Sequence, residues 1–297
     1  KVIVNGEWEG YVVYITKCQY VVLDGLILDG DGTSNKVISV NREAHHIRVQ
    51  DSEIRNSGRS GIFVRHPGFN EFVNLEIHRN GTSGRGHGIY IESNHNLIEG
   101  CAIHHNAGWG VHVYDGHEGQ SANDNVVRKN TVYDNAQGDY GGRGVGIGIY
   151  TGSGNIVYNN IVWGNDAGIA VDYDARNTKV CNNTVVANQS RGIRIGDGNS
   201  SFGSSIDTIV KNNIAYTNGG PQITDLGIGS IIDHNLTEQA PQFVDASAHD
   251  FHLKPNSPAI DAGVTLGDVS DDLDGVSRPS GTGYDIGAYE FIQRSKD

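Results

Sequence analysis

Between His112 and Glu118 the chain reads His-Val-Tyr-Asp-Gly-His-Glu, which gathers His112, Tyr114, Asp115 and His117 into one short stretch. These residue types move protons. An imidazole takes one near neutral pH, and a phenol or a carboxylic acid delivers one. If the stretch begins as a strand, His112 and Tyr114 share a face, because side chains alternate with a period of two. Asp115 and His117 then open the loop that follows.

Repeats decide which elements position these groups. NHNLIEGCAIHHNAGWGVHV (94–113), NDNVVRKNTVYDN (123–135), GNIVYNNIVWGNDAGIAV (154–171), TKVCNNTVVANQSRGIRI (178–195) and TIVKNNIAYTN (208–218) share a frame. It reads N-x-V-x-x-N-x-V-x-x-N, a gap, then G-I-x-V. One apolar position runs Ile54, Ile77, Ile103, Val132, Val162, Val185, Ala215, at intervals of 23 to 30 residues. Apolar and polar residues alternate within each copy, the period of a strand and not of a helix. Three short strands per repeat, with Val and Ile inward, predict an all-β fold: a single-stranded right-handed parallel β-helix of about eight or nine coils over residues 2–240. A leucine-rich solenoid needs inward leucines and a convex helix, and the sequence offers neither. Asn130, Asn160, Asn183 and Asn213 recur at one turn, where stacked amides hydrogen-bond along the axis. Residues 241–297 break the repeat and are expected to cap the open edge of the last coil.

Composition narrows the function. The 297 residues carry 22 Lys and Arg against 35 Asp and Glu, a formal charge of −13. That argues against nucleic acid as a partner and against an anionic membrane surface. No apolar run is long enough for a membrane-spanning helix. Cys18, Cys101 and Cys181 are widely spaced, without a Cys-x-x-Cys pair, so neither a zinc knuckle nor a disulfide framework is expected. The chain contains no Met and opens without a signal-like apolar run, as a processed secreted protein or a trimmed chain does.

With the frame in register, the outward residues of the G-I-x-V strand are Phe63, Tyr90, His112, Gly148, Ala170 and Arg194, followed by Arg65, Glu92, Tyr114, Tyr150 and Asp172. Aromatic, His and Arg side chains are not an ordinary solvent face. Long insertions at 80–88, 114–125 and 135–146 surround the same coils and are expected to converge on one cleft. Binding candidates are Tyr90, Tyr150, Asp172 and Arg194 on the strand, and Arg85, His87 and Arg143 on the insertions. Trp163 joins them from a column with His78, His104 and Tyr133, which is equally a plain stabilising stack. No lysine is expected on the G-I-x-V strand, since Lys129, Lys179 and Lys211 fall on the preceding strand or its turn.

These repeats resemble the secreted bacterial right-handed parallel β-helix proteins, the pectate lyase-like and mannuronan C5-epimerase-like superfamily. The tail, with SPAIDAG (257–263) and DIGAYE (285–290), resembles a module that often closes such proteins. The resemblance implies a secreted or cell-surface protein, with a polysaccharide, an acidic one, along the outside of the G-I-x-V strand. The run Asp115-Gly116-His117-Glu118 is similar to the Asp-Pro-His-Glu of mannuronan C5-epimerases. It implies roles for Tyr114, Asp115 and His117, although Gly116 replaces the proline and Tyr114 directly abuts Asp115.

Three functions stay open. A uronate lyase or C5-epimerase needs a base for the C5 proton, an acid, and a group that neutralises the carboxylate. His117 or His112 fits the base, Tyr114 the acid, and Arg143, Arg85 or Ca²⁺ the neutraliser. A glycoside hydrolase needs two carboxyls about 5–9.5 Å apart, for which Glu92 and Asp115 are the candidates. A non-catalytic glycan-binding or structural β-helix is the third. Asp172-Tyr-Asp174 is a candidate Ca²⁺ site, and Asp271-Asp272-Leu-Asp274-Gly is another acidic turn. A monomer is expected.

Overall fold

The protein is described here by a computed structural model, which covers residues 2–6, 10–82, 85–115, 122–136, 144–198 and 203–293. Three parallel sheets of nine strands each form the faces of a right-handed β-solenoid, and each coil adds one strand to every sheet in turn. Ile54, Ile77, Ile103, Val132, Val162, Val185 and Ala215 are direct partners along the first sheet, as the sequence frame places them.

The coil forms because its apolar residues point inward from all three sheets and stack on their counterparts above and below. Ile62, Ile89, Val111, Ile147, Ile169 and Ile193 are fully buried in the second sheet, each burial contributing roughly 1.5–3 kcal/mol.

Every asparagine of the frame has a structural task. Three amide ladders run up the three turns. One passes through Asn130, Asn160, Asn183, Asn213 and Asn235. A second passes through Asn80, Asn106, Asn135, Asn165, Asn188 and Asn218, and ends on Gln222. The third joins Asn70, Asn96, Asn125 and Asn155. Each side chain accepts from the backbone N–H of the coil before it, so buried turn amides are satisfied without water.

Cys101 occupies a ladder position and ends the first ladder. Its N–H donates to Asn130, and its thiol lies 3.4 Å from the carbonyls of Phe72 and Glu99. Cys101→Asn therefore extends the ladder with two stronger donors to the same carbonyls. We expect a gain of about 1 kcal/mol in chemical denaturation.

The C-terminal segment lies elsewhere than expected. It folds back along the flank of the solenoid, where Phe251, Leu253, Ile286 and Tyr289 pack with Ile161, Val186 and Ile214. Leu226, Ile228 and Ile231 of the last coil stay 51–57% exposed, so among the described residues nothing covers them. The clamp is polar as well. Arg278 is fully buried against Glu290 and reaches Asn159 of the solenoid.

Candidate functional site

The second sheet carries the outward column on its strands Ser60–Arg65, Ile89–Glu92, Val111–Val113, Val145–Ile149, Ala167–Val171 and Arg191–Ile195. Phe63, Tyr90, His112, Gly148, Ala170 and Arg194 are cross-strand partners in that order. Upstream, the rings fill the face. Tyr90 stacks on His112 at 4.7 Å, and His112 stacks on Tyr114 at 5.5 Å.

Past Gly148 and Ala170, which are both buried, a groove of about 500 Å³ lies between Trp109, Tyr150, Tyr173 and Arg194. The Tyr150 ring lies over Gly148, where an added Cβ would meet it at 2.8 Å. Trp109 stacks on Tyr150 at 4.7 Å, and Tyr173 meets Tyr150 edge-on at 4.8 Å. These rings make an aromatic floor and wall. Asp166, Asp172 and Asp197 line the groove together with Arg191 and Arg194.

Asp172, Arg194 and Tyr150 form one connected group. Arg194 is ion-paired with Asp172, and its other contact is the Tyr150 hydroxyl at 3.3 Å. The Asp172 side chain is 1% exposed, and one carboxylate oxygen has no hydrogen-bond partner. Burial pushes its pKa up to about 6, with Asp197 adding to the shift and Arg194 opposing it. Burial also raises the Tyr150 phenol, which stays protonated. The site thus holds a carboxyl pushed up to about 6 and a protonated phenol, bridged by a guanidinium.

The histidines belong to the scaffold. Trp109 covers His112 edge-on at 3.9 Å, and burial, then His87, holds His112 well below the usual imidazole range. His87 accepts the Trp109 N–H at Nδ1, 3.2 Å, and burial followed by the Arg59 charge lowers it to about 3. Both rings are neutral and fix Trp109. A folded pKa below the unfolded value of about 6.5 stabilises the protein above pH 6.5, and that stability is lost as pH falls toward 3. Titrating the free energy of unfolding from pH 6 to 4 should show His87→Gln shallower than the parent by about 1.4 kcal/mol per pH unit.

The sequence candidates divide accordingly. Tyr150, Asp172 and Arg194 come together in the groove; Tyr90, His112 and Tyr114 form the stack beside it. Asp115 is anchored through its N–H to the Thr151 hydroxyl at 2.7 Å and does not line the groove. Glu92 is buried and paired with Arg65, upstream. Arg85 is exposed on the loop before Ile89–Glu92. His117 and Arg143 lie outside the described residues, as does much of the three insertions.

Three expectations are corrected. Trp163 belongs to the first sheet, not this face, and both its sides are covered: it stacks on Tyr133 at 4.6 Å and on His249 of the C-terminal segment at 3.7 Å. The Asp172/Asp174 pair does not fit Ca²⁺, because the two carboxylates are split between Arg194 and Arg176. Lys36 does lie on the second sheet, in a coil whose copy of the repeat lacks the G-I-x-V signature. Sequence reading also missed Trp109, Tyr173, Asp166, Arg191 and Asp197. The Gly-Trp-Gly before Val111 was the legible signal for Trp109.

A family model described as "Right handed beta helix region" matches residues 82–236. The chain belongs to that family. A second model, described as "Periplasmic copper-binding protein (NosD)", matches residues 3–137 of this right-handed β-helix protein. Among the described residues, no cluster of three His, Cys, Asp or Glu that could hold a metal is found. An uncharacterized protein of Bacillus subtilis (strain 168), YwoF, is 25% identical over 192 residues, and the chain spans 40% of that relative's length. Among solved structures, pectate lyase Pel9A superposes with a TM-score of 0.65 at 17% identity, over 94% of this chain and 73% of that one. The mannuronan C-5 epimerase AlgE4 A-module of Azotobacter vinelandii gives 0.51 at 14% identity, over 77% and 79%. At these identities the likeness is one of fold.

Proposed function

We propose that this β-helix protein is a carbohydrate-active enzyme outside the cytoplasm, and that it acts as a uronate-directed lyase or C5-epimerase. Asp172, Arg194 and Tyr150 are its working group. One observation carries the reading: a buried carboxyl poised at about 6, a protonated phenol and a guanidinium meet in a groove with an aromatic floor. Sugar rings stack on aromatic faces, and the half-buried rings of Trp109 and Tyr173 line the groove. The structural neighbours include a pectate lyase and alginate epimerases, which favours a polyuronate.

Each step has a residue. Asp172, ionised above about pH 6, takes the C5 proton; a general base works best with a pKa near the operating pH. Arg194 pairs with the uronate carboxylate and stabilises the charge that develops on it. Tyr150 delivers a proton. Delivery to the glycosidic oxygen completes elimination, with C4–O broken and a C4–C5 double bond formed. Delivery to the opposite face of C5 completes epimerisation.

Asp197 supports a second reading. Its charge raises Asp172, so hydrolysis with a protonated Asp172 as acid is the competitor. Incubation with pectins, alginates and glycosaminoglycans separates the two. A new ultraviolet absorbance, or a changed uronate ratio by NMR, supports the lyase or epimerase. Reducing ends without either support hydrolysis.

A further inference from the structure

Upstream of the groove the same face changes sign. The Lys36 ammonium lies 4.7 Å from the Phe63 ring centre and 5.4 Å from that of Tyr11. The Arg65 guanidinium lies 5.2 Å from the same Phe63 ring. Burial lowers the Lys36 pKa, and Arg59 and Arg65 lower it further by repulsion. Among the described residues the carboxylate in range is Glu92, and it is engaged by Arg65. Among the described residues no carboxylate is ion-paired with Lys36. Lys36 and Arg65 share the Phe63 ring, and Arg59 precedes Ser60, the strand partner of Lys36; like charges gathered in this way raise the local potential and attract an anion. Tyr11 and Tyr14 stack on each other at 4.9 Å beside them and are 39% and 41% exposed, an open aromatic platform. In the groove the balance is the reverse, with three aspartates against two arginines.

We infer that Lys36, Arg59 and Arg65 form a separate binding subsite for an acidic residue of the polymer, with Tyr11 and Tyr14 as its stacking surface. The inference rests on the polysaccharide reading above and deepens it. Lys36 and Asp172 are five strands apart in the second sheet, about 24 Å along the axis. A short oligomer cannot occupy both places, and a long one can. The subsite thus selects for chain length and for anionic substitution, and fixes the register in which a long chain meets the groove. Its ligand is a sugar ring bearing an anionic group, a uronate carboxylate or a sulfate ester.

The test measures binding and turnover of short and long oligomers by the wild type, Lys36→Gln and Arg59→Gln. Arg59 is exposed, so its variant keeps the test valid should Lys36→Gln not fold. The probes are oligogalacturonates and oligoalginates for carboxylate, sulfated glycosaminoglycan oligomers for sulfate ester, and neutral galactan. Either variant should bind the long acidic oligomers about tenfold more weakly, with a shallower salt dependence, and treat short ones as the wild type does. Which acidic series loses more names the anionic group. Unchanged affinity for long acidic oligomers that the wild type does bind overturns the subsite and leaves the groove reading standing. Neutral galactan bound as tightly as its acidic counterpart also overturns it. Failure of the wild type to bind any of these glycans removes the polysaccharide reading, and the subsite with it.

Discussion

Asp172→Asn lowers turnover of a polyuronate by about 10²–10⁴-fold, the range for loss of a positioned general base. The variant keeps the shape and removes the titrating group. Arg194 is left without its carboxylate partner, so folding is checked first by circular dichroism and thermal unfolding. Tyr150→Phe also suppresses turnover, because the ring stays on Trp109 and only the proton is lost. The two variants together cost less than the product of their separate effects, since base and acid serve one step. A Trp109→Ala variant weakens substrate binding more than it slows the step, because Trp109 touches the sugar and not the transferred proton.

Arg278→Ala destabilises the protein by about 3–5 kcal/mol, because it leaves Glu290 charged and uncompensated in the interior. Both side chains are fully buried, and the guanidinium also satisfies the carbonyls of Asp285 and Gly287 and the Asn159 side chain. Glu290 in turn accepts from the N–H groups of Ser280 and Asp285. This cluster joins the C-terminal segment to the turn that carries Asn159 and Asn182. A solenoid unfolds in units that touch only their neighbours, so the segment should release first. Hydrogen exchange checks this: the amides of Asp285, Ile286 and Phe291 lose protection in Arg278→Ala, while those of Ile62 and Ile89 keep it. A variant that replaces Arg278 and Glu290 together by apolar residues recovers part of the loss, because no Glu290 charge is then left without its partner, while Asp272 and Asp285 stay buried beside it.

The solenoid was readable because its inward positions repeat at strand period and its turns repeat Asn. The frame even contained all three ladders, since Asn125, Asn130 and Asn135 each belong to a different one. Only one was recognised, because a single column explains a turn and three columns require knowing where the two other turns lie. The groove was half legible. Register alone placed Tyr150, Asp172 and Arg194 on the right face. What register does not give is what lies over the face. Gly148 looked like a lapse in an aromatic strip, and it is where the Tyr150 ring lies. The His112–Tyr114 pair drew attention by its residue types, yet stacking and burial make His112 a support for Trp109. Trp163 shows the opposite failure: its partner His249 comes from a segment with no repeat to set its place.

The pH dependence of turnover tests the central claim most directly. The initial rate, read in parallel as ultraviolet absorbance, uronate ratio by NMR and reducing ends, is followed on polygalacturonate and alginate from pH 4.5 to 8, for the wild type and Asp172→Asn. If Asp172 is the base, the rate rises with pH through a midpoint near 6, where its carboxyl ionises, and the variant loses that limb. A rate that falls as pH passes 6, with reducing ends and no absorbance, makes Asp172 an acid in hydrolysis and contradicts the account.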